Sequence, residues 1–145
     1  MMKFGWITVL LAGLFSVSTH AEQYQQIKQV EAHYSAFNSS FLTPKIARSY
    51  QIKRNGYTGL LNISVLDTRA PGKPAIEAAL SGSVKNLLGQ TRQLAFRQVK
   101  EGDAIYYLSE FAISDEETLS FDIDLDAGIK GSGKLKFTQK FYVEE

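Results

Sequence analysis

The strictest constraint in this sequence is an alternation in its C-terminal third. Leu119, Phe121, Ile123 and Leu125 alternate with Ser120, Asp122, Asp124 and Asp126. Beyond a glycine-rich stretch, Leu135, Phe137, Phe141 and Val143 share one parity, and Lys134, Lys136 and Lys140 share the other. A period of two places each set on one face of a β-strand. Paired antiparallel, the two runs form a hairpin that is apolar on one side and charged on the other. Aspartates then stand opposite lysines, each such pair contributing about 0.2–1 kcal/mol. A slip of one residue would turn the phenylalanine row into water, so the register is tightly specified. Such a hairpin needs a second apolar layer to pack against.

The rest of the chain supplies that layer in short strands. Gln26–Phe37 reads as one strand, with Val30, Ala32, Tyr34 and Ala36 on one face, and Gly59–Asp67 as another, aligning Leu61, Ile63 and Val65. Ala75–Val84 follows, with Ile76, Ala78, Leu80 and Val84 together, then Gln93–Val99 and Ala104–Phe111 around a tight turn at Glu101-Gly102. With Thr118–Asp126 and Lys134–Val143 the count is about seven, which predicts an all-β, two-layer antiparallel β-sandwich. One short helix is expected near residues 44–50: Thr43 is a good N-cap, Pro44 suits the first helical position, and Ile46, Ala47 and Tyr50 share a side. Two turns do not stand alone, so this helix must pack on the sandwich. Pro71, Gly72 and Pro74 mark a loop inside a single domain, 22–145.

Residues 1–21 have the layout of a signal peptide: Lys3 at the start, an uncharged run from Phe4 to Val17, and small residues at Thr19 and Ala21. The apolar run, if helical, would span roughly 21 Å, short of the ~30 Å hydrocarbon core. A lipid anchor would need a cysteine, and the chain has none. The expectation is export to the periplasm, cleavage after Ala21, and no stable membrane anchor afterwards. Losing Lys3 with the leader leaves fifteen basic and fifteen acidic residues. A neutral chain with mixed charges offers no net attraction to nucleic acid. Without cysteine, packing alone must hold the fold.

No motif for catalysis or cofactor binding stands out, and no cofactor is expected. Asp122, Asp124 and Asp126 succeed one another at about 6.6–6.8 Å along a strand, too far apart to converge on one calcium ion. With lysines opposite, they read as a solvated charge ladder and not as a metal site. His33 is the one histidine after the leader, with Ser35, Ser39 and Ser40 nearby, but no nucleophile-elbow pattern surrounds them. The run Gly128–Gly133 joins two strands and opens no helix, so it is a hairpin end and not a phosphate loop. Ala104–Leu108 is apolar on both faces, as are Leu60-Leu61 and Val65-Leu66. Either the short helix and the long first strand cover the second face, or Tyr106 and Leu108, with Leu60 or Leu66, form an exposed patch for a partner or homodimer.

Four segments carry a resemblance: Tyr34–Pro44, Asn86-Leu-Leu-Gly-Gln90, Lys100–Leu108 and Leu135–Val143. Together they resemble the bacterial exported family called domain of unknown function 4426. The resemblance implies an immunoglobulin-like sandwich and supplies no reaction, substrate or catalytic residue. Asn38, Phe41, Arg48, Tyr50, Asn86 and Gln90 lie in its irregular or helical parts and are the binding candidates, alongside Tyr106 and Leu108. Helix capping and loop closure are the plainer roles for these side chains. The functional expectation is a non-catalytic, protein-binding or accessory module of the cell envelope, acting on an envelope protein partner or as a homodimer. The alternatives are a small-ligand carrier, which needs a cavity between the sheets, and an envelope hydrolase using His33.

Overall fold

The computed structural model describes residues 23–143. Nine strands run in chain order: β1 (Gln23–Ile27), β2 (Val30–Asn38), β3 (Thr58–Asp67), β4 (Ala79–Asn86), β5 (Thr91–Leu94), β6 (Arg97–Glu101), β7 (Ala104–Ala112), β8 (Glu117–Asp126) and β9 (Ser132–Phe141). Among the described residues one α-helix, α1 (Pro44–Ser49), follows β2. The strands form two antiparallel sheets, ordered β1-β2-β3-β7-β6 and β5-β4-β8-β9. This is the expected immunoglobulin-like sandwich with one short helix.

The closing hairpin has the expected register: Asp122 faces Lys136 and Asp124 faces Lys134. Lys134 Nζ lies 3.1 Å from Asp124 and 3.2 Å from Asp122, and these hydrogen bonds raise the lysine's pKa above its ordinary value. On the inner face Leu119, Ile123 and Leu135 are fully buried. They pack with Leu61, Ile63 and Val65 of the other sheet in one core. Phe137 stacks on Phe121 with centroids 4.5 Å apart and on Tyr34 at 4.4 Å, so one ring links β8, β9 and β2. The Tyr107 hydroxyl accepts from Ala78 N–H at 2.9 Å and from Gln98 Nε2 at 3.0 Å, which satisfies its polar end in the core.

Seven expected strands become nine because two runs are broken without a turn signature. The first divides at Lys28-Gln29, where Lys28 takes φ +52 and Ile27 pairs with Val30. Gln93–Val99 divides at Ala95-Phe96, where the chain leaves one sheet for the other. Ala75 makes only an isolated bridge to Leu66 before β4 begins at Ala79. The turn between β6 and β7 forms as expected, with Glu101 paired to Ala104 and Gly102 at φ +60. The leader expectation for residues 1–21 lies outside the described residues.

The second apolar face is covered, though not in the way the first run suggested. β1 is the edge strand beside β2 and does not lie across the sheet. The cover is α1 and the residues after it: Ala47 and Ile52 pack on Leu60 and Leu108, flanked by Phe37, Leu42, Tyr50, Val99 and Tyr106. Thr43 Oγ1 accepts from Ile46 N–H at 3.2 Å, and Pro44 occupies the first turn, as expected. The edge strand β6 then fastens the helix. Arg97 donates to the carbonyl of Tyr50, and Tyr50 Oη donates to Glu101 Oε2 at 2.8 Å. That bond to a carboxylate pushes the Tyr50 phenol above its usual pKa.

Candidate functional site

The described residues contain eight large apolar side chains that remain exposed, and five of them lie on loops at one end of the sandwich: Phe41, Tyr57, Leu87, Leu88 and Tyr142. That end is where β2, β4, β7 and β9 finish and where β3, β5 and β8 begin. Ile129, on the Gly128–Lys130 turn, marks the opposite end alone.

Hydrogen bonds join two of the three aromatic members to the Asn38-Ser39 segment that leads into Phe41. Asn38 Nδ2 donates to the Tyr142 carbonyl at 2.6 Å. The neighbouring Ser39 hydroxyl donates to the Asn55 carbonyl and accepts from Asn55 N–H, both at 3.1 Å. Asn55 Oδ1 in turn accepts from Tyr57 N–H at 2.8 Å. The segments that carry Tyr57 and Tyr142 are therefore tied to the one that leads into Phe41, while the three residues are 62 %, 53 % and 64 % exposed. Lys140 Nζ sits 5.5 Å from the Tyr142 ring centroid, a cation–π contact on the same side.

Leu87 and Leu88 occupy the tip of the β4–β5 hairpin. Asn86 Oδ1 accepts from Leu88 N–H and Gln90 N–H, each at 3.0 Å, and Asn86 Nδ2 donates to Gln90 Oε1 at 2.7 Å. Asn86 and Gln90, candidates for ligand contact, thus close their own loop. Beside this tip lies an open groove of about 390 Å³, lined by Asn86, Gln90, Arg92, Ala112, Ser114 and Glu117.

The other candidates separate in the same way. Asn38 is buried and works as a tie between strands. Arg48 is exposed on α1, and Tyr50 is half-buried at its C-terminal end. Leu108 is buried and Tyr106 half-buried beneath the helix, so these two do not form an open patch. Phe41 is the one candidate that joins the exposed aromatic group. Tyr57, Tyr142 and the leucine pair were missed. Leu87-Leu88 between Asn86 and Gly89 was readable as an apolar pair inside a turn; Tyr57 and Tyr142 carry no sequence signal.

A second polar group sits on the outer face of the five-stranded sheet. His33 points away from the core, stacks on Tyr24 at 5.0 Å, and its Nε2 lies 2.9 Å from Glu31 Oε1. Lys73 Nζ donates to the other oxygen of Glu31 at 3.1 Å. The hydrogen bonds from His33 and then Lys73 hold the Glu31 pKa below its usual value. Asp67 is similarly lowered, first by the hydrogen bond from Lys130 at 3.0 Å. Among the described residues no serine hydroxyl is hydrogen-bonded to His33, and no three His, Cys, Asp or Glu side chains are grouped to hold a metal ion.

No curated protein matches the chain. A crystal structure of a DUF4426 family protein from Pseudomonas aeruginosa is 36 % identical, with a TM-score of 0.74, covering 87 % of this chain and 98 % of that one. A copper-bound variant of FetP from uropathogenic Escherichia coli gives 0.58 at 11 % identity, covering 86 % of this chain and 97 % of its own. FetP as isolated, recombinantly expressed in the periplasm of Escherichia coli, gives 0.55 at 10 % identity, covering 86 % and 96 %. These two likenesses are of fold. The model of the family described as "Domain of unknown function (DUF4426)" matches residues 24–144, and the chain belongs to that family.

Proposed function

We propose that the chain is a non-catalytic binding module of the bacterial cell envelope, exported to the periplasm, that engages an envelope protein through its Phe41–Tyr57–Tyr142 end. One observation carries the reading: three exposed aromatic residues stand around one segment, Asn38-Ser39, which leads into Phe41 and is hydrogen-bonded to the Tyr142 carbonyl and, through Asn55, to Tyr57. Aromatic side chains dominate the energetics of protein interfaces, and a rigid support lowers the entropy cost of using them. The leader-like sequence at residues 1–21 supports export.

The alternatives find less in the residues. Leu61, Ile63, Val65, Leu119, Ile123 and Leu135 have no accessible surface, and a void large enough for water would leave some on its lining. The space between the sheets is filled by side chains at these positions, against the ~300 Å³ or more a small-ligand carrier needs. A copper carrier would draw on cysteine, methionine or several histidines. The chain has no cysteine, its methionines are Met1 and Met2, and its histidines are His20 and His33. A hydrolase finds a base and a carboxylate in His33 and Glu31, 2.9 Å apart, but no hydroxyl bonded to the imidazole.

The test is site-specific photocrosslinking in living cells from position 57, with position 129 at the opposite end as the control. The reading expects a discrete protein adduct from 57 that is lost in a Phe41→Ser background. Identical adducts from 57 and 129, or none from 57, would overturn it.

A further inference from the structure

We propose that Asn55-Gly56 is a site of spontaneous covalent modification, where loss of ammonia converts the asparagine to aspartate and isoaspartate and unfastens Tyr57. The inference goes beyond the protein-binding reading, and its chemistry does not depend on it. The chain has four asparagines, and Asn55 alone is followed by glycine. The others are followed by Ser39, Ile63 and Leu87. The reaction joins the side-chain Cγ of an asparagine to the next backbone nitrogen. A following residue with a Cβ crowds that approach, and glycine does not.

The surroundings leave the reacting groups free. Asn55 is exposed, outside any helix or strand, in the bend that leads into β3. Its Oδ1 accepts from Tyr57 N–H at 2.8 Å, an Asx-turn that folds the carboxamide back over the Gly56 peptide. The same N–H is placed to stabilise the oxyanion that develops at Oδ1 when Cγ is attacked. Among the described residues no group accepts from Gly56 N–H and none is bonded to Asn55 Nδ2, so neither nucleophile nor leaving group is held. The other asparagines differ. The Asn38 amide donates to the Tyr142 carbonyl, that of Asn86 donates to Gln90, and Asn62 lies within β3.

The step balances with water as its one co-reactant. Gly56 N bonds to Asn55 Cγ, the Cγ–Nδ2 bond breaks, and the Gly56 proton leaves with Nδ2 as ammonia. Water then opens the five-membered imide at either carbonyl. Opening at Cγ gives aspartate. Opening at the main-chain carbon gives isoaspartate, whose backbone runs through Cγ and is one methylene longer. Both products carry a new negative charge. In isoaspartate the carbonyl that accepts from Ser39 Oγ becomes part of a carboxylate, and Oδ1 becomes part of the main chain. The path from Ser39 to Tyr57 lengthens, and Tyr57 N–H loses its side-chain acceptor. The connection therefore has a limited life, set at its middle member.

The folded protein is held in neutral buffer at physiological temperature and followed by intact mass and peptide mapping. The expected result is a gain of about 1 Da, as NH2 is exchanged for OH, mapping to residue 55 as paired aspartate and isoaspartate peptides. Gly56→Ala should slow the gain roughly tenfold; the φ of Gly56 is outside the left-handed region, so the backbone admits alanine. Asn55→Gln should abolish it while circular dichroism shows the fold kept. Hydrogen exchange at Tyr57 should be faster in the isoaspartate fraction than in fresh protein. Equal rates at Asn38, Asn62 or Asn86 would overturn the proposal, as would reaction at Asn55 only after unfolding in denaturant. Unchanged exchange at Tyr57 in the isoaspartate fraction would overturn the unfastening. The masses are read with no partner present, so this inference and the protein-binding reading fail separately.

Discussion

The ring of Phe111 fills the space that a side chain at Gly59 would need: its Cζ lies 2.5 Å from where a Cβ would stand. The two residues are directly paired across β3 and β7. Phe111 also meets Phe121 and Phe141 edge-on at 5.2 and 5.4 Å. A glycine here is a packing requirement, since its φ is not in the left-handed region. Gly59→Ala is expected to cost about 1–3 kcal/mol through overpacking. Phe111→Leu in the same chain should recover part of that loss. Denaturant midpoints of the four proteins in the cycle measure it, and strict additivity would contradict the clash.

Leu88 and Leu108 should behave as opposites under truncation. Leu108 is buried beneath α1, and Leu108→Ala is expected to cost about 2–5 kcal/mol. Leu88→Ala should stay within about 0.5 kcal/mol, because its side chain touches water. Chemical unfolding of both variants gives the comparison. Equal costs would mean that α1 does not cover the second face in solution.

Asn86→Ala removes the acceptor for two loop amides at once. Hydrogen exchange at Leu88 and Gln90 should accelerate while the core strands keep their protection. The stability loss should be about 1–2 kcal/mol, the scale of one or two net hydrogen bonds. Unchanged exchange at both amides would show that the tip is not held by this side chain.

Acid should erase the difference between wild type and Asp67→Asn. The Lys130 hydrogen bond, followed by the Arg69 N–H, lowers the folded pKa of Asp67. Its contribution is therefore complete above the unfolded aspartate value, about 4, and fades as pH falls through the lower folded value. Thermal scans should show the variant less stable at neutral pH and converging on wild type as the pH falls through the lowered folded pKa. Glu31→Gln should follow the same course, since His33 and Lys73 lower Glu31 in the same direction. A gap that widens in acid would reverse the sign and refute both assignments.

Trp6 is the chain's one tryptophan. Protein recovered from the periplasm should therefore show tyrosine but no tryptophan emission, with Glu22 as its first residue by intact mass. Tryptophan emission from that fraction would show the leader retained.

How far the sequence reached depends on whether an element is defined by its own side chains or by the backbone around it. The facing of aspartates and lysines across the β8–β9 hairpin was readable, because a slip of one residue would expose Phe121, Ile123 and Leu135. The cap at Thr43-Pro44 was equally local. The break at Lys28-Gln29 was not: a lysine at positive φ is uncommon and gives no composition cue. The change of sheet at Ala95-Phe96 depends on which neighbours receive the strands, a long-range matter. At the site, Asn38, Asn86 and Gln90 stand in the segments that carry the family resemblance, and each spends its side chain on a hydrogen bond within the protein. The side chains left outward were ordinary tyrosines and leucines, whose exposure is decided by everything packed around them.

The position of β9 in the chain sets the timetable of folding. Its Leu135 and Phe141 complete the core, and Gln139 reaches back 103 residues to the Ala36 carbonyl at 2.7 Å. Until the last of the described strands has emerged from the ribosome, β8 has no partner on that side and the aromatic cluster cannot close. A growing chain is therefore kept from finishing its fold early. It stays threadable until β9 is added.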